Sequence, residues 1–241
     1  MYGERGRIGL LVPSSNTTME MDFHRLVPDG VSVHTARMHF LGAGSEGELR
    51  TMLEDHMADA LRDVATVRPD VVVLGCTAAG ALGVEWESRL EREMVALVGA
   101  PAFTVTQAVR RALNALELRR LTVVTPYNET INEVVAGFLR EMGFTVIAVR
   151  GLGLTDNLEI GAQTPERVVE HAKAAFAHGS DGVFISCTNF RAVDAAARLE
   201  IELGVPVVTS NQASMWWALR QMGVEDHIAG YGTLLAEGAT K

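Results

Sequence analysis

The sequence predicts an α/β protein of two similar lobes from an internal duplication, each lobe a parallel four-stranded sheet flanked by helices, with the site in the cleft between them. Three observations carry this. Short β-branched runs alternate with amphipathic segments, the chain repeats itself once, and its two cysteines fall at equivalent places in the two copies.

Taken in order, RIGLLV (7–12), VSVHTARM (31–38), DVVVLG (70–75) and AFTV (102–105) read as strands, and so do RLTVVT (120–125), FTVIAV (144–149), DGVFIS (181–186) and VPVVT (205–209). Each is short, apolar and bounded by turn residues. Between them apolar residues recur at helical spacing, as at Leu49, Met52, Leu53, Met57 and Leu61. Strand–helix alternation implies parallel sheets with helices packed on them. The Gly-rich stretches LGAGSEG (41–47) and GLGLTDN (151–157) are expected as loops near strand ends, where ligands bind in such sheets.

The duplication is visible as three collinear pairs of segments. DVVVLGCTAAGAL (70–82) resembles DGVFISCTNFRAV (181–193), which sets Cys76 and Cys187 111 residues apart. RIGLLVPSSNTTME (7–20) pairs with RLTVVTPYNETINE (120–133), and APAFTVTQAVRRAL (100–113) with VPVVTSNQASMWWAL (205–219). The expected division is residues 1–100 plus 206–241 for lobe 1 and 101–205 for lobe 2, related by a pseudo-twofold. Eight such units also fit a β/α barrel, but a barrel spreads its site over many loops, whereas here the distinctive residues follow the equivalent strand of each half.

Composition narrows the function. At 241 residues, 48% hydrophobic and 21% charged, the chain has ample core. A net charge of −9 without a Lys/Arg-rich run argues against nucleic acid or an anionic membrane as partner. A small anionic substrate remains open, because backbone amides and hydroxyls gathered in one cleft outweigh a diffuse surface charge. The apolar run near the N-terminus is too short for a signal peptide and no stretch approaches a membrane span, so the expected location is the cytoplasm. A homodimer or higher homo-oligomer is the default assembly. With no CxxC, no HExxH and scattered histidines, neither a metal nor a cofactor is expected.

The chemistry centres on Gly75-Cys76-Thr77 and Ser186-Cys187-Thr188, each after an apolar strand and before a predicted helix. A thiol there meets the helix N-terminus, whose free N–H groups favour the thiolate and bind carboxylate oxygens. Two buried cysteines are ordinarily packing, but their recurrence at equivalent positions of both copies points to a catalytic pair. Thr77 and Thr188 either cap these helices or bind substrate. Trp216 and Trp217 read as core plus neighbour, His39 as a structural histidine, and Asp194 and Glu200 as solvated charges.

VPSSNTTME after the first strand, GCT and SCT after the third and seventh, TPY after the fifth, and DNLEIG at 156–161 resemble the aspartate/glutamate racemase superfamily. Within it the chain is most similar to maleate cis–trans isomerases, with arylmalonate decarboxylases and ectoine-utilisation proteins as relatives. The resemblance implies the two-lobed fold and assigns Asn16, Tyr127 and Asn157 to substrate carboxylates, with Ser14, Ser15, Thr77, Thr188 and Asn189 as further substrate-binding candidates. Each has a plainer reading: Asn16 as a helix cap, Tyr127 as a half-buried aromatic, Asn157 as a turn residue.

By the same resemblance, one thiolate adds to the double bond of a small dicarboxylate (maleate), the adduct rotates, and elimination gives fumarate. Cys76 is taken as nucleophile and Cys187 as acid/base, although the symmetry of the repeat does not assign them. An amino-acid-type racemase or an ectoine-degradation enzyme, using both cysteines as bases, is the alternative, supported by SCTNFRA (186–192) and TSNQASMWWALR (209–220). A binding module without catalysis is the third. Racemases of the superfamily carry an acidic or Gly-rich first loop, whereas PSSN offers no acid for a substrate ammonium. Decarboxylases usually keep only the second cysteine.

Overall fold

The computed structural model describes residues 2–40, 46–77, 80 and 83–238; positions 41–45 of the LGAGSEG segment and most of 78–82 lie outside the described residues. In the first half, β1 (Gly6–Pro13), β2 (Val31–Met38), β3 (Val71–Leu74) and β4 (Ala102–Thr104) form a sheet in the order β2-β1-β3-β4. The second half repeats it: β5 (Arg120–Tyr127), β6 (Thr145–Leu154), β7 (Gly182–Ile185) and β8 (Val207–Thr209) run in the order β6-β5-β7-β8. All pairings are parallel. Two separate open sheets with one topology repeat the same half twice, as the duplication predicts, and they replace a barrel.

The helices of the first half are α1 (Met19–Leu26), α2 (Glu46–Thr51), α3 (Met57–Ala65), α4 (Val84–Val98) and α5 (Val105–Ala115), with a π-helical turn, Met52–His56, joining α2 to α3. The second half carries α6 (Glu129–Glu141), α7 (Asn157–Gly161), α8 (Pro165–Ala175), α9 (Val193–Leu203) and α10 (Ser210–Gln221).

Strand pairing moves both lobe boundaries. β4 pairs with β3 and β8 with β7, so the first sheet runs to Thr104 and the second to Thr209, beyond the breaks expected after residues 100 and 205. The helix after β8 crosses back: α10 packs on α5, α1 and β3 of the first half.

Both faces of each central strand are covered, which is why these strands read as continuous apolar runs. Ile8, Leu10 and Val12 point into a central cluster that joins the two halves, with Val109 and Leu113 of α5, Met215 and Leu219 of α10, and Val123 of β5. Leu11, Val72 and Leu74 face the opposite way, onto α3 and α4. An equivalent outer cluster in the second half packs Val183 and Ile185 on α8 and α9.

The repeated Gln107 and Gln212 have a structural cause. Thr104 and Thr209 open α5 and α10 with capping boxes, each hydroxyl accepting from the glutamine backbone N–H (3.2 Å in both) and each glutamine Oε1 accepting from the threonine N–H (2.9 Å in both).

One loop expectation fails. Residues 151–154 of GLGLTDN continue β6, with Gly151 opposite Thr125 and Leu154 opposite Tyr127. Gly151 is required there, because a Cβ would run into the Tyr127 carbonyl oxygen and lie 2.6 Å from the Asn132 amide nitrogen.

Candidate active site

The two cysteine loops leave their sheets in the same way. Gly75 N–H donates to the Leu11 carbonyl (2.7 Å) and Ser186 N–H to the Val124 carbonyl (2.8 Å), so Cys76 and Cys187 sit at equivalent C-terminal strand ends. In each sheet the connections part on either side of the β1/β3 or β5/β7 pair, which is the switch point where open α/β sheets bind ligands. Both cysteines line one cavity of about 80 Å³, together with residues from the ends of β1, β5 and β6. That volume suits a molecule of a few heavy atoms, well below the roughly 300 Å³ at which drug-sized pockets begin. Both thiols are buried, at 6% and 7% exposure.

The helix N-terminus expected behind Cys187 is not there: α9 begins only at Val193. Behind Cys76 most of residues 78–82 lie outside the described residues. After Cys187 the chain instead makes a turn whose backbone N–H groups take that role: Asn189 N–H lies 3.4 Å from the Cys187 Sγ, and Phe190 N–H, which donates to the Cys187 carbonyl at 3.3 Å, also favours the thiolate. Such a turn gathers amides around an anion much as a helix end does. Burial pushes the Cys187 thiol up, while the Tyr127 hydroxyl and these two amides pull it down. The Tyr127 phenol is pushed up in turn, by burial, then by the Cys187 charge and hydrogen bond, then by Cys76, so its hydroxyl stays protonated within range of both sulfurs.

Cys187 also adopts φ +99°, a left-handed backbone that a non-glycine residue rarely takes; Cys76 does not. Such strain costs of order 1–3 kcal/mol and persists only where the surroundings over-determine it.

Of the candidate binding residues, Asn16, Thr77, Tyr127, Asn157, Thr188 and Asn189 line the cavity, and Ser14 and Ser15 do not. The Ser14 hydroxyl is locked to the Phe40 backbone, accepting from its N–H at 3.0 Å. Ser15 Oγ accepts from the Asn157 side-chain amide at 2.8 Å, so it orients a lining residue from behind. Asn16 fills the helix-cap role considered for it: its Oδ1 accepts from the Thr18 and Met19 N–H groups at 3.0 Å each, starting α1, while its Nδ2 donates to Thr188 Oγ1 at 3.0 Å. Asn189 is mostly a brace, its Oδ1 accepting from Thr17 N–H (2.8 Å) and its Nδ2 donating to the Asn157 carbonyl (2.6 Å). Thr188 Oγ1 donates to the Gly75 carbonyl (3.1 Å) and accepts from Asn16, which commits its one donor to protein.

Sequence reasoning missed the apolar side of the cavity, formed by Pro13, Phe40, Ile131, Leu154 and Ile160, and the lining residue Thr155. Only the neighbouring motifs PSSN, TPY and DNLEIG signalled them. Arg37 was missed too; its guanidinium donates to the Ser14 and Asn16 carbonyls (3.0 and 2.9 Å) and pins the first loop. No Lys, Arg, His, Asp or Glu is among the described residues lining the cavity, so its titratable groups are the two thiols and the phenol.

The discounted residues mostly behave as expected. Trp216 is core, His39 is exposed and stacked edge-on against His56, and Trp217 carries the Arg111 guanidinium 4.2 Å above its ring. Asp194 and Glu200 are not simply solvated. Asp194 is held by Arg25 at 2.5 Å, and Glu200 accepts from Val207 N–H (3.0 Å) and Thr233 N–H (2.8 Å), tying α9 to β8 and the C-terminal segment.

The family model described as arylmalonate decarboxylase matches residues 8–235. The chain belongs to the arylmalonate decarboxylase family. Membership agrees with the aspartate/glutamate racemase superfamily indicated by the cysteine motifs. Arylmalonate decarboxylase of Bordetella bronchiseptica is 32% identical, covering 95% of this chain and 96% of its own. Among solved structures, the maleate isomerase Iso from Pseudomonas putida S16 matches with a TM-score of 0.92 at 26% identity, over 98% of this chain and 99% of that one. Maleate cis–trans isomerase of Nocardia farcinica, crystallised as a cysteine-to-serine variant with a covalently bound succinylcysteine intermediate, matches with a TM-score of 0.91 at 27% identity, over 96% of this chain and 98% of that one. Among the described residues, no helix is long and apolar enough to cross a membrane.

Proposed function

We propose that this isomerase converts maleate to fumarate without a cofactor, by covalent addition of one cysteine to the substrate. The observation that carries the reading is the cavity itself: two thiols from equivalent strands of the two halves reach one small chamber whose other groups are neutral. The succinylcysteine held by the Nocardia relative supports the covalent route.

In this scheme the Cys76 thiolate attacks C2 of maleate, forming a C–S bond. The π electrons move to C3 and its carboxylate, and Cys187 delivers its proton to C3. The adduct is a succinyl thioether with a single C2–C3 bond, free to rotate. Cys187, now a thiolate, removes a proton from C3, the π bond re-forms in the trans geometry, and the C–S bond breaks to restore the Cys76 thiolate. The raised Cys187 thiol suits the proton-holding role, since burial keeps it protonated until substrate arrives. The Tyr127 hydroxyl and the Asn189 and Phe190 amides then stabilise the Cys187 thiolate formed during the cycle. The apolar side contributed by Phe40, Leu154 and Ile160 keeps water off the carbanion.

The family relationship to a decarboxylase motivates a second reading, loss of CO2 from a substituted malonate, in which Cys187 alone protonates the product. Proton NMR of maleate with the reduced enzyme, beside Cys76→Ala and Cys187→Ala, separates the two. Fumarate from the wild type alone supports the isomerase. No turnover by folded, reduced protein, with CO2 released from phenylmalonate, overturns it in favour of the decarboxylase.

A further inference from the structure

We propose that Asp22, acting through Asn211, is a positioning residue that holds the Cys187 turn and thereby sets the spacing of the two cysteine loops. The inference deepens the isomerase reading and rests on it for its kinetic arm alone.

The left-handed backbone of Cys187 needs restraint from outside the turn. Thr188, the next residue, is where that restraint converges. Its hydroxyl donates to the Gly75 carbonyl at 3.1 Å, the residue immediately before Cys76. Its own carbonyl accepts from Asn211 Nδ2 at 3.0 Å. One residue therefore ties the Cys187 turn to the Cys76 loop on one side and to α10 on the other.

Asn211 is 2% exposed, and the same Nδ2 also donates to Asp22 Oδ2 at 2.7 Å. Its Oδ1 is buried without a hydrogen-bond partner. A buried orphan acceptor is unfavourable, and turning the amide over would be worse, because it would face that oxygen against both the Asp22 carboxylate and the Thr188 carbonyl. Asp22 thus fixes which way the amide points, and the amide fixes Thr188. Asp22 itself is 5% exposed and does not line the catalytic cavity. It is not chiefly an ion-pair partner either: Arg25 lies 4.0 Å away and gives its close contacts, 2.9 and 2.5 Å, to Asp194. Its hydrogen bond from Asn211 is what a carboxylate at this position provides.

The test uses the full chain and two readouts. One is kcat and KM on maleate. The other is the rate of Cys187 alkylation by iodoacetamide against pH, followed by intact mass in a Cys76→Ser background. Asp22→Leu and Asn211→Ala should lower kcat roughly 10- to 100-fold with KM within about threefold, as for a small displacement of a reacting group. Both should move the alkylation profile to higher pH, because a relaxed turn withdraws its amides from the sulfur. Asp22→Asn keeps an acceptor in the same place and should stay near wild type in both readouts. A folded Asp22→Leu or Asn211→Ala with the wild-type alkylation profile would overturn the proposal, as would Asp22→Asn being equally impaired. If Asp22→Leu does not fold, Asn211→Ala decides, since it removes only an amide. If the wild type does not turn over maleate, the isomerase reading fails, and the alkylation profiles still decide this one.

Discussion

Replacing Asp22 with asparagine should stabilise the protein above about pH 6 and leave it unchanged towards pH 4. Burial pushes the Asp22 carboxyl up from 3.8 to about 6; the Asn211 amide, Arg25 and Arg191 pull it down, and Asp194 pushes it up. Those are the groups that face it from α1, α10, α9 and the turn before α9. A raised carboxyl binds protons more tightly folded than unfolded, so its contribution to stability falls as pH rises through the window from 4 to 6. A shift of about two units corresponds to about 3 kcal/mol. Asparagine removes that contribution while keeping the acceptor for Asn211. At pH 8 the variant should melt roughly 6–12 °C above the wild type for a chain of this size, and the gap should close as the pH approaches 4. Thermal melts or urea titrations at both pH values measure this. A gap of equal size at both, or a less stable variant at pH 8, would refute the reasoning. Together with retained kcat, the result would separate the positioning role of Asp22 from any stabilising one.

Four further outcomes are expected. Tyr127→Phe removes the hydroxyl donor to Cys187; a hydrogen bond to a charged group is worth about 1.5–3 kcal/mol, so Cys187 alkylation near neutral pH should slow roughly tenfold or more, and an unchanged rate would contradict the assigned bond. Gly151→Ala drives a Cβ into the Tyr127 carbonyl and should lose about 1–3 kcal/mol in urea unfolding together with activity. Gly137→Ala, inside α6 with open space around it, should instead gain about 0.5–1 kcal/mol and leave activity alone. Thr209→Ala opens one capping box and should lose about 1 kcal/mol; Thr104→Ala should lose more, because its hydroxyl also donates to the Glu87 carboxylate at 2.6 Å, and equal losses in urea unfolding would contradict that added role.

The fold was legible because both faces of each sheet are buried. Runs such as LLV and VVVL could then be read as strands without alternation, and the repeat supplied their order. Cys76 and Cys187 were legible for the same reason, as duplicated positions at equivalent strand ends. The role of the residues behind the thiols was not. SCTNFRAV reads equally well as a helix start or as a turn, and only Cys187 in a left-handed conformation, with α9 delayed to Val193, decides it. Asp22 and Asn211 left no pattern, because their pairing joins segments 189 residues apart. The boundary error has a similar origin. β4 and β8 are three residues each and sit between the halves, so nothing local in AFT or VVT says which sheet they extend.

The departures from symmetry bear most directly on mechanism. A duplicated scaffold delivers two thiols to one cavity from equivalent strand ends, which is the geometry either a two-base racemase or an addition–elimination isomerase needs. A racemase runs in both directions by exchanging the roles of its two bases, so it has use for matched environments. Here the matching stops at the strand ends. Within the repeat, Tyr127 corresponds to Ser14. Tyr127 donates to Cys187, while the Ser14 hydroxyl is engaged by the Phe40 backbone. Cys187 alone of the pair takes a left-handed backbone. The two thiols therefore differ in backbone conformation and in the residue that stands at the Tyr127 position of each half. Unlike environments of this kind are what the proposed covalent addition by Cys76, followed by proton delivery from Cys187, would use.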